Sequence, residues 1–200
     1  PRIVTLQIDT QDDSTPTPLS DTDQVTITVA PPPEFQTNQA ASVVWGQPGF
    51  TSGGSGQVDQ DSLSVPFGAV SVFNDTGLAY VPDSANHRVM IFHDDAATGG
   101  LAASLRGQPN FVTRDVVVDQ GRHPAPAHVA IAGSRMAVVD WYANRVSLYE
   151  RPPSTSFQQP VALLGQDTFT GSGAACASAQ LNGPYSVAIT PDGNRLVDAD

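Results

Sequence analysis

The 200-residue sequence contains no lysine, a single cysteine and two methionines, and its apolar runs are short. No run approaches the roughly 20 residues that a transmembrane helix needs, so we predict no membrane insertion. With only Cys176 present, no disulfide bond can form within the chain, and pairing with a cysteine elsewhere stays open. Because Pro1 opens directly onto a strand-like run and Asp200 falls within another, we expect an internal segment of a longer protein.

The shortage of positive charge excludes one class of partner. Twenty acidic residues stand against nine basic ones, all of them arginine, and the formal net charge is −11 at pH 7. Binding to phosphate backbones requires clustered cations, whereas the arginines of this chain are scattered singly. We therefore predict that nucleic acid is not a partner.

A hairpin pattern occurs twice in the chain. Residues 78–92 and 136–149 each contain an apolar run that ends in Asp, four turn-type residues, and an Arg-Val that opens a second apolar run. Asp83 and Arg88 are thus five residues apart, as are Asp140 and Arg145. We expect each Asp to accept hydrogen bonds from backbone amides of its own turn. The alternative for Asp83 is an ion pair with Arg88 across the hairpin, of little energetic value if exposed.

Other landmarks recur at steps of 57 to 61 residues. Gly-Gln begins at 46, 107 and 165 with a Phe three residues after the Gln, a Pro falls at 66, 126 and 184, and an Asp falls at 83, 140 and 200. Each unit offers four strand-like runs, in the second unit at 128–131, 135–141, 145–150 and 161–165, which is typical of a propeller blade. The repeat-motif residues are Gly46, Gln47, Phe50, Asp83, Asn86, Arg88, Gly107, Gln108, Phe111, Asp140, Arg145, Gly165, Gln166 and Phe169.

The combination Gly-Gln-Pro-x-x-Phe, Pro-x-Gly and Asp-Ser-Ala-Asn-His-Arg-Val resembles bacterial NHL-repeat β-propellers over residues 42–200. The second unit departs from the pattern at Ala143, where the first has Asn86, and at His128, where the first has Gly68. The resemblance implies an all-β fold in which residues 41–200 form about two and a half four-stranded blades. It also implies that 42–46 is an outermost strand and that each motif Phe is an aromatic anchor between neighbouring blades.

The first 40 residues lie outside the repeat. Apolar and polar residues alternate in 4–9 and 25–30, as in half-buried strands, and the end of this stretch resembles the last strands of cadherin-like or immunoglobulin-like sandwiches of bacterial surface proteins. We predict such strands over 1–30 and a Pro-rich linker over 31–40, in which the consecutive prolines Pro31 to Pro33 favour polyproline II. Asp12, Asp13, Asp21 and Asp23 suggest either a calcium site or a solvated acidic loop.

No catalytic constellation is evident in the sequence. By resemblance to metal-binding propeller lactonases and the NHL-type peptidyl-hydroxyglycine lyase, His128 is a weak metal candidate, but Gly68 and Ser186 at the matching positions cannot complete its ligand set. We predict a non-catalytic extracellular or cell-surface module without a cofactor, which binds protein or glycan through its loop faces. The alternative is a metal-dependent hydrolase or lyase, holding zinc or calcium mainly through residues outside this chain.

Overall fold

The computed structural model describes residues 2–11, 20–29, 36–53, 57–153 and 158–199. The chain divides into two compact units, Pro1–Ala41 and Ser42–Asp200. Asp12, Asp13, Pro31 to Pro33 and Asp200 lie outside the described residues, so the acidic loop and the polyproline II linker stay predictions.

The first unit contains a long antiparallel hairpin of β1 (Arg2–Gln11) and β2 (Ser20–Val29). The two strands pair along their whole length, with Arg2 opposite Val29 and Gln11 opposite Ser20. The alternating sequence pattern predicted strands here, but β2 starts earlier than expected. Asp21 and Asp23 therefore belong to β2, opposite Thr10 and Ile8, and not to a loop as predicted.

The second unit is all-β, as predicted, with two four-stranded antiparallel sheets and a further hairpin. The first sheet contains β3 (Ser71–Phe73), β4 (Leu78–Asp83), β5 (Arg88–His93) and β6 (Ser104–Arg106) in chain order. The second contains β7 (Pro126–Ala132), β8 (Arg135–Asp140), β9 (Arg145–Tyr149) and β10 (Ala162–Leu164). The hairpin pairs β11 (Ser186–Ile189) with β12 (Leu196–Ala199). Among the described residues, a single 3₁₀ turn, Ser84–Asn86, is the one helical segment.

The sheets pack face to face, so their central strands are buried on both sides. One cluster joins the first two sheets through residues such as Tyr80 and Ile91 on one side and Val138 on the other. Val139 has the opposite orientation to Val138 in β8 and packs with Val187 of β11 in another cluster. The other face of the first sheet is covered by a third cluster that includes Met90 and Leu105. The alternation of side chains along each strand thus links three successive layers.

One local prediction is wrong. Residues 42–46 form no strand, because Val44 pairs with the Thr98 hydroxyl and the Gly99 amide of a loop. In the first sheet Pro66 forms an isolated antiparallel bridge with Asp83 and β3 starts five residues after it, whereas in the second sheet β7 starts at Pro126 itself, opposite Asp140. Gly68 lies so close to β7 that a Cβ atom would be 2.0 Å from the Ala127 carbonyl oxygen, so this segment contacts the neighbouring sheet instead of extending its own.

Candidate functional site

The repeated Asp and Arg form a buried ion pair in the first sheet. Asp83 ends β4 and Arg88 opens β5 directly opposite it, and both side chains are fully buried. Arg88 Nε donates to Asp83 Oδ2 at 2.7 Å, and Asn86 Nδ2 donates to the same oxygen at 3.0 Å. The other carboxylate oxygen accepts from the Ser64 amide at 2.6 Å, outside the hairpin's turn. The prediction that Asp83 caps its own turn is therefore wrong, because its side chain accepts no hydrogen bond from the backbone of that turn.

Each motif arginine also connects its hairpin to two distant loops. Arg88 donates to the carbonyl oxygens of Asp59 and Ser62, in the connection before its sheet, and to that of Phe111 after it. Arg145 repeats the arrangement with the carbonyls of Asp119, Arg122 and Phe169. The two guanidinium groups thus hold equivalent loops beside the first and the second sheet, and all the loop acceptors are backbone carbonyls.

The second ion pair is less well satisfied than the first. Arg145 Nη2 lies 3.7 Å from Asp140 Oδ2, and no described residue hydrogen-bonds to that oxygen or to Arg145 Nε. Ala143 stands at the position that corresponds to Asn86, whose side-chain amide donates to Asp83 in the first sheet. Asp140 Oδ1 accepts from the Ala125 amide at 3.0 Å and from the Ala143 amide of its own turn at 3.4 Å, which partly fits the predicted cap. Burial raises the pKa of Asp140 to about 6, against the opposing effects of Arg145 and the two amides.

The Gly-Gln motif fixes the chain against the preceding hairpin turn. Gln108 donates to the carbonyls of His87 and Asp115, and Gln166 donates to those of Asn144 and Gly173. His87 and Asn144 both have the left-handed backbone conformation, at φ 56° and 49°. Among the described residues, Gln47 makes only the local bond to the Gly49 carbonyl. The Gln residues of the second and third motifs therefore contact the turn that the paired Asp and Arg flank.

The glycine before each Gln is required by conformation and by space. Gly46, Gly107 and Gly165 have φ values of 81°, 93° and 86°, which L side chains rarely adopt. At Gly107 a Cβ atom would lie 2.9 Å from the His87 carbonyl oxygen, and at Gly165 it would lie 2.6 Å from that of Asn144. Gly107 and Gly165 thus allow a close approach of two backbones, whereas at Gly46 a Cβ atom would lie 2.5 Å from the Leu63 side chain.

The motif phenylalanines differ in their surroundings. Phe111 packs against the cluster on the first sheet, and Phe169 is half-buried. Phe50 is 55% exposed, so the predicted role as an aromatic anchor is wrong for this residue within the described structure. The nearby aromatic contact is made by Trp45, which stacks on Phe92 with ring centroids 5.2 Å apart.

His128, the metal candidate, connects two sheets. Its Nδ1 accepts from the Val187 amide at 3.1 Å and lies 3.1 Å from the Ser186 hydroxyl, both in β11. Burial lowers the pKa of His128, which favours the neutral ring that accepts these bonds. Across the part of the chain that the structure describes, no three His, Cys, Asp or Glu side chains are grouped to hold a metal ion. The Nδ1 atom is therefore already used in packing β7 against β11.

His123 lies in a connection but is completely buried. Its Nε2 is 2.9 Å from the Tyr149 hydroxyl, and the Arg106 guanidinium lies 5.3 Å from the centroid of the Tyr149 ring. Burial, followed by the charges of Arg106 and Arg145, holds the pKa of His123 well below its usual value. Burial also raises the pKa of Tyr149. Both groups are held neutral in the interior, where they have no access to a dissolved substrate.

A cleft of about 360 Å³ opens on the side where the hairpin turns lie. Its large lining side chains are Val65, Phe67, Trp141 and Tyr185, which are 43% to 53% exposed. Small residues line the rest of the cleft: Ser84, Ala85, Ala125 and Ala127. We call this feature the aromatic cleft.

The residues that follow three prolines of the sequence contribute to the aromatic cleft. Phe67 follows the proline at position 66, Ala127 follows the one at 126, and Tyr185 follows the one at 184. The small middle residue, Ala127, leaves space at the cleft, and the rings of Phe67 and Tyr185 contact each other edge to face at a centroid distance of 5.9 Å. Trp141, from the turn between β8 and β9, approaches Tyr185 at 6.5 Å with the rings inclined by 65°. These edge-to-face contacts hold the rings in defined orientations.

One lining residue of the cleft has a strained backbone. Val65 has φ 50°, a conformation that is unusual for a β-branched residue. Its neighbour Ser64 is fixed on both sides, because the amide donates to Asp83 and the carbonyl accepts from the Ala85 amide at 3.1 Å. The buried carboxylate of Asp83 therefore helps to hold Val65 at the cleft, and strain of this kind concentrates at binding sites.

Sequence reasoning missed the aromatic cleft. Phe67, Trp141 and Tyr185 are far apart in the chain, and the predicted repeat motif contains none of them. The available signal was the variable residue that follows each repeated Pro, together with the adjacent Trp141 and Tyr142 in a hairpin turn. Aromatic residues in exposed turns are unusual enough to indicate binding.

The chain matches no protein-family model, and no curated protein matches it. No helix in the described ranges has the length and apolar character required to cross a bilayer. The function must therefore be argued from the aromatic cleft and the repeated hairpins.

Proposed function

We propose that the chain is a non-catalytic interaction module, and that it binds protein or glycan through the aromatic cleft. The observation that carries this proposal is the group of partly exposed rings of Phe67, Trp141 and Tyr185 around one apolar cleft. Exposed aromatic side chains held in fixed orientations supply much of the affinity of binding surfaces, because they bury large areas at a low cost in conformational entropy.

We further propose that the second unit is part of an NHL-type β-propeller. Support comes from the repeated four-stranded sheets, their face-to-face packing, and the equivalent contacts of Arg88 and Arg145. The antiparallel β1–β2 hairpin supports, in the same way, the proposal of a sandwich-like neighbour. Because the sandwich domains that this stretch resembles belong to bacterial surface proteins, we propose an extracellular or cell-surface location.

The proposed function is tested by presenting purified protein to an array of short peptides and an array of defined oligosaccharides. We expect ligands of one class to be retained by the wild type and lost by Trp141→Ala. Tyr142→Ala is the matched control, since Tyr142 is adjacent in sequence and 55% exposed but does not line the cleft. If no array ligand distinguishes Trp141→Ala from Tyr142→Ala, binding at the aromatic cleft is refuted.

The metal-dependent hydrolase or lyase is tested in parallel. Hydrolysis of simple lactones and esters is measured with added zinc or calcium, for the wild type and for His128→Ala. Turnover that depends on metal and on His128 would replace the interaction module with the enzyme. The interaction module predicts no such turnover.

A further inference from the structure

We propose that the occupant of the aromatic cleft is a proline-rich segment in the polyproline II conformation. This inference rests on the proposed interaction function and adds the chemical class of the ligand. It follows from three properties of the cleft, namely its charge, its free hydrogen-bonding groups and its aromatic walls.

The first property is the absence of charge from the lining. The lining of the aromatic cleft contains no Asp, Glu, Lys, Arg or His residue. The chain as a whole carries a formal net charge of −11. A neutral or basic segment is therefore favoured over an acidic one, because an acidic ligand would be repelled and would find no cation in the cleft.

The second property is the kind of hydrogen-bonding group that the lining offers. Trp141 Nε1 can only donate, and no described residue accepts from it or bonds to the Tyr185 hydroxyl. The Ser84 hydroxyl already donates to the Pro126 carbonyl. A saccharide ring brings several hydroxyl groups that each need donors and acceptors, whereas a proline residue presents a carbonyl acceptor and no amide donor. The donor of Trp141 thus fits a proline-rich backbone better than a sugar.

The third property is the arrangement of the aromatic rings. The rings of Phe67 and Trp141 each approach Tyr185 at 65°, so the three do not form a flat platform. Inclined rings leave grooves between them, and proline rings of a polyproline II helix fit into such aromatic grooves. This helix repeats every three residues with a rise of about 3.1 Å per residue, so a short segment suffices for a cleft of about 360 Å³. Its ordering cost is low because the conformation exists before binding.

The experiment measures the fluorescence anisotropy of a labelled peptide of eight consecutive prolines as the complete 200-residue chain is titrated into it. A peptide of alternating glycine and serine, of the same length and with the same label, is the control ligand. We expect saturable binding of the proline peptide alone. Trp141→Ala and Tyr185→Ala should each weaken it roughly tenfold or more, as for aromatic hot spots. Tyr142→Ala should leave it unchanged.

A conservative variant separates the hydrogen bond from ring packing. Trp141→Phe keeps an aromatic ring and removes the indole N–H, so we expect about two- to tenfold weaker binding of the proline peptide. Far-UV circular dichroism checks that each variant is folded. If Trp141→Ala fails to fold, Trp141→Phe and Tyr185→Ala still decide the result, and undiminished binding by both overturns the proposal.

A competition arm distinguishes the two ligand classes. If a cellohexaose or chitohexaose titration gives cleft-dependent binding and the proline peptide does not bind, the proline-rich ligand is overturned and the interaction module stands. If neither probe binds but the peptide array gives cleft-dependent binding of proline-free sequences, the ligand class is again wrong. Absence of all cleft-dependent binding overturns both proposals.

Discussion

Removing the Asp83 carboxylate should destabilise the protein more than the loss of a turn cap would. Asp83→Ala leaves the Arg88 guanidinium completely buried, with three backbone carbonyls as acceptors but without its counter-charge. Breaking a buried ion pair by deleting one partner costs about 3 to 5 kcal/mol, compared with about 1 kcal/mol for a lost cap. The Ser64 amide also loses its acceptor. We therefore expect the free energy of unfolding to fall by about 3 to 5 kcal/mol.

The assay is urea unfolding followed by circular dichroism, analysed as a double-mutant cycle with Arg88→Met. Each single change leaves one buried charge unpaired, whereas the double change leaves none, so the two losses should not add. We expect a coupling of about 2 to 3 kcal/mol. Asp83→Asn keeps an oxygen acceptor and removes the charge, and should cost nearly as much as Asp83→Ala if charge dominates.

The ion pair of the second sheet, between Asp140 and Arg145, provides an internal comparison for the stability loss. Because Asp140 and Arg145 are 3.7 Å apart and less well hydrogen-bonded, Asp140→Ala should cost about 1 to 3 kcal/mol, less than Asp83→Ala. The argument would be refuted by additive effects of Asp83→Ala and Arg88→Met, or by an Asp83→Ala cost of about 1 kcal/mol or less.

The remaining predictions concern Asp140 and Gly107. Since the folded-state pKa of Asp140 is about 6 against 3.8 as its usual value, the folded state gains a proton between these pH values. On acidification from pH 7.5 to 4, the wild type should gain about 2 kcal/mol of unfolding free energy relative to Asp140→Asn, and parallel pH profiles of the two proteins would show that this pKa is not raised. Gly107→Ala should lose about 1 to 3 kcal/mol of unfolding free energy, whereas Gly173→Ala, whose added Cβ meets nothing within 4 Å, should lose about 0.5 kcal/mol or less. Equal thermal transitions of the two glycine variants would contradict the steric argument.

The central hairpins could be predicted because their signals are local. The sequence predicted paired strands at 135–141 and 145–150. The structure has β8 at Arg135–Asp140 and β9 at Arg145–Tyr149, paired with each other. Strands at the sheet margins were harder to predict. Residues 42–46 resemble the outer strands in sequence, but their partners are Thr98 and Gly99 in a loop, and such a pairing has no pattern in the sequence.

The roles of the motif residues could be predicted only in part. Spacing identified Asp83 and Arg88 as a pair, but not that both are buried. The acceptors of Arg88 are backbone carbonyls 23 to 29 residues away, and a carbonyl has no side-chain signature. The aromatic cleft is a product of packing between layers, so its members could be found only after the sheets were placed together.

The use of carbonyl oxygens by Arg88 and Arg145 has a consequence for how the surface can change. Every amino acid supplies the same main-chain acceptor, so the hydrogen bonds of Arg88 to the carbonyls of Asp59 and Ser62 do not depend on the side chains of these two residues. Substitutions at these two positions can therefore accumulate without loosening the anchored backbone. A scaffold of this kind tolerates diversification of its exposed loops, and libraries randomised there, with the two arginines retained, should yield folded variants with new binding specificities.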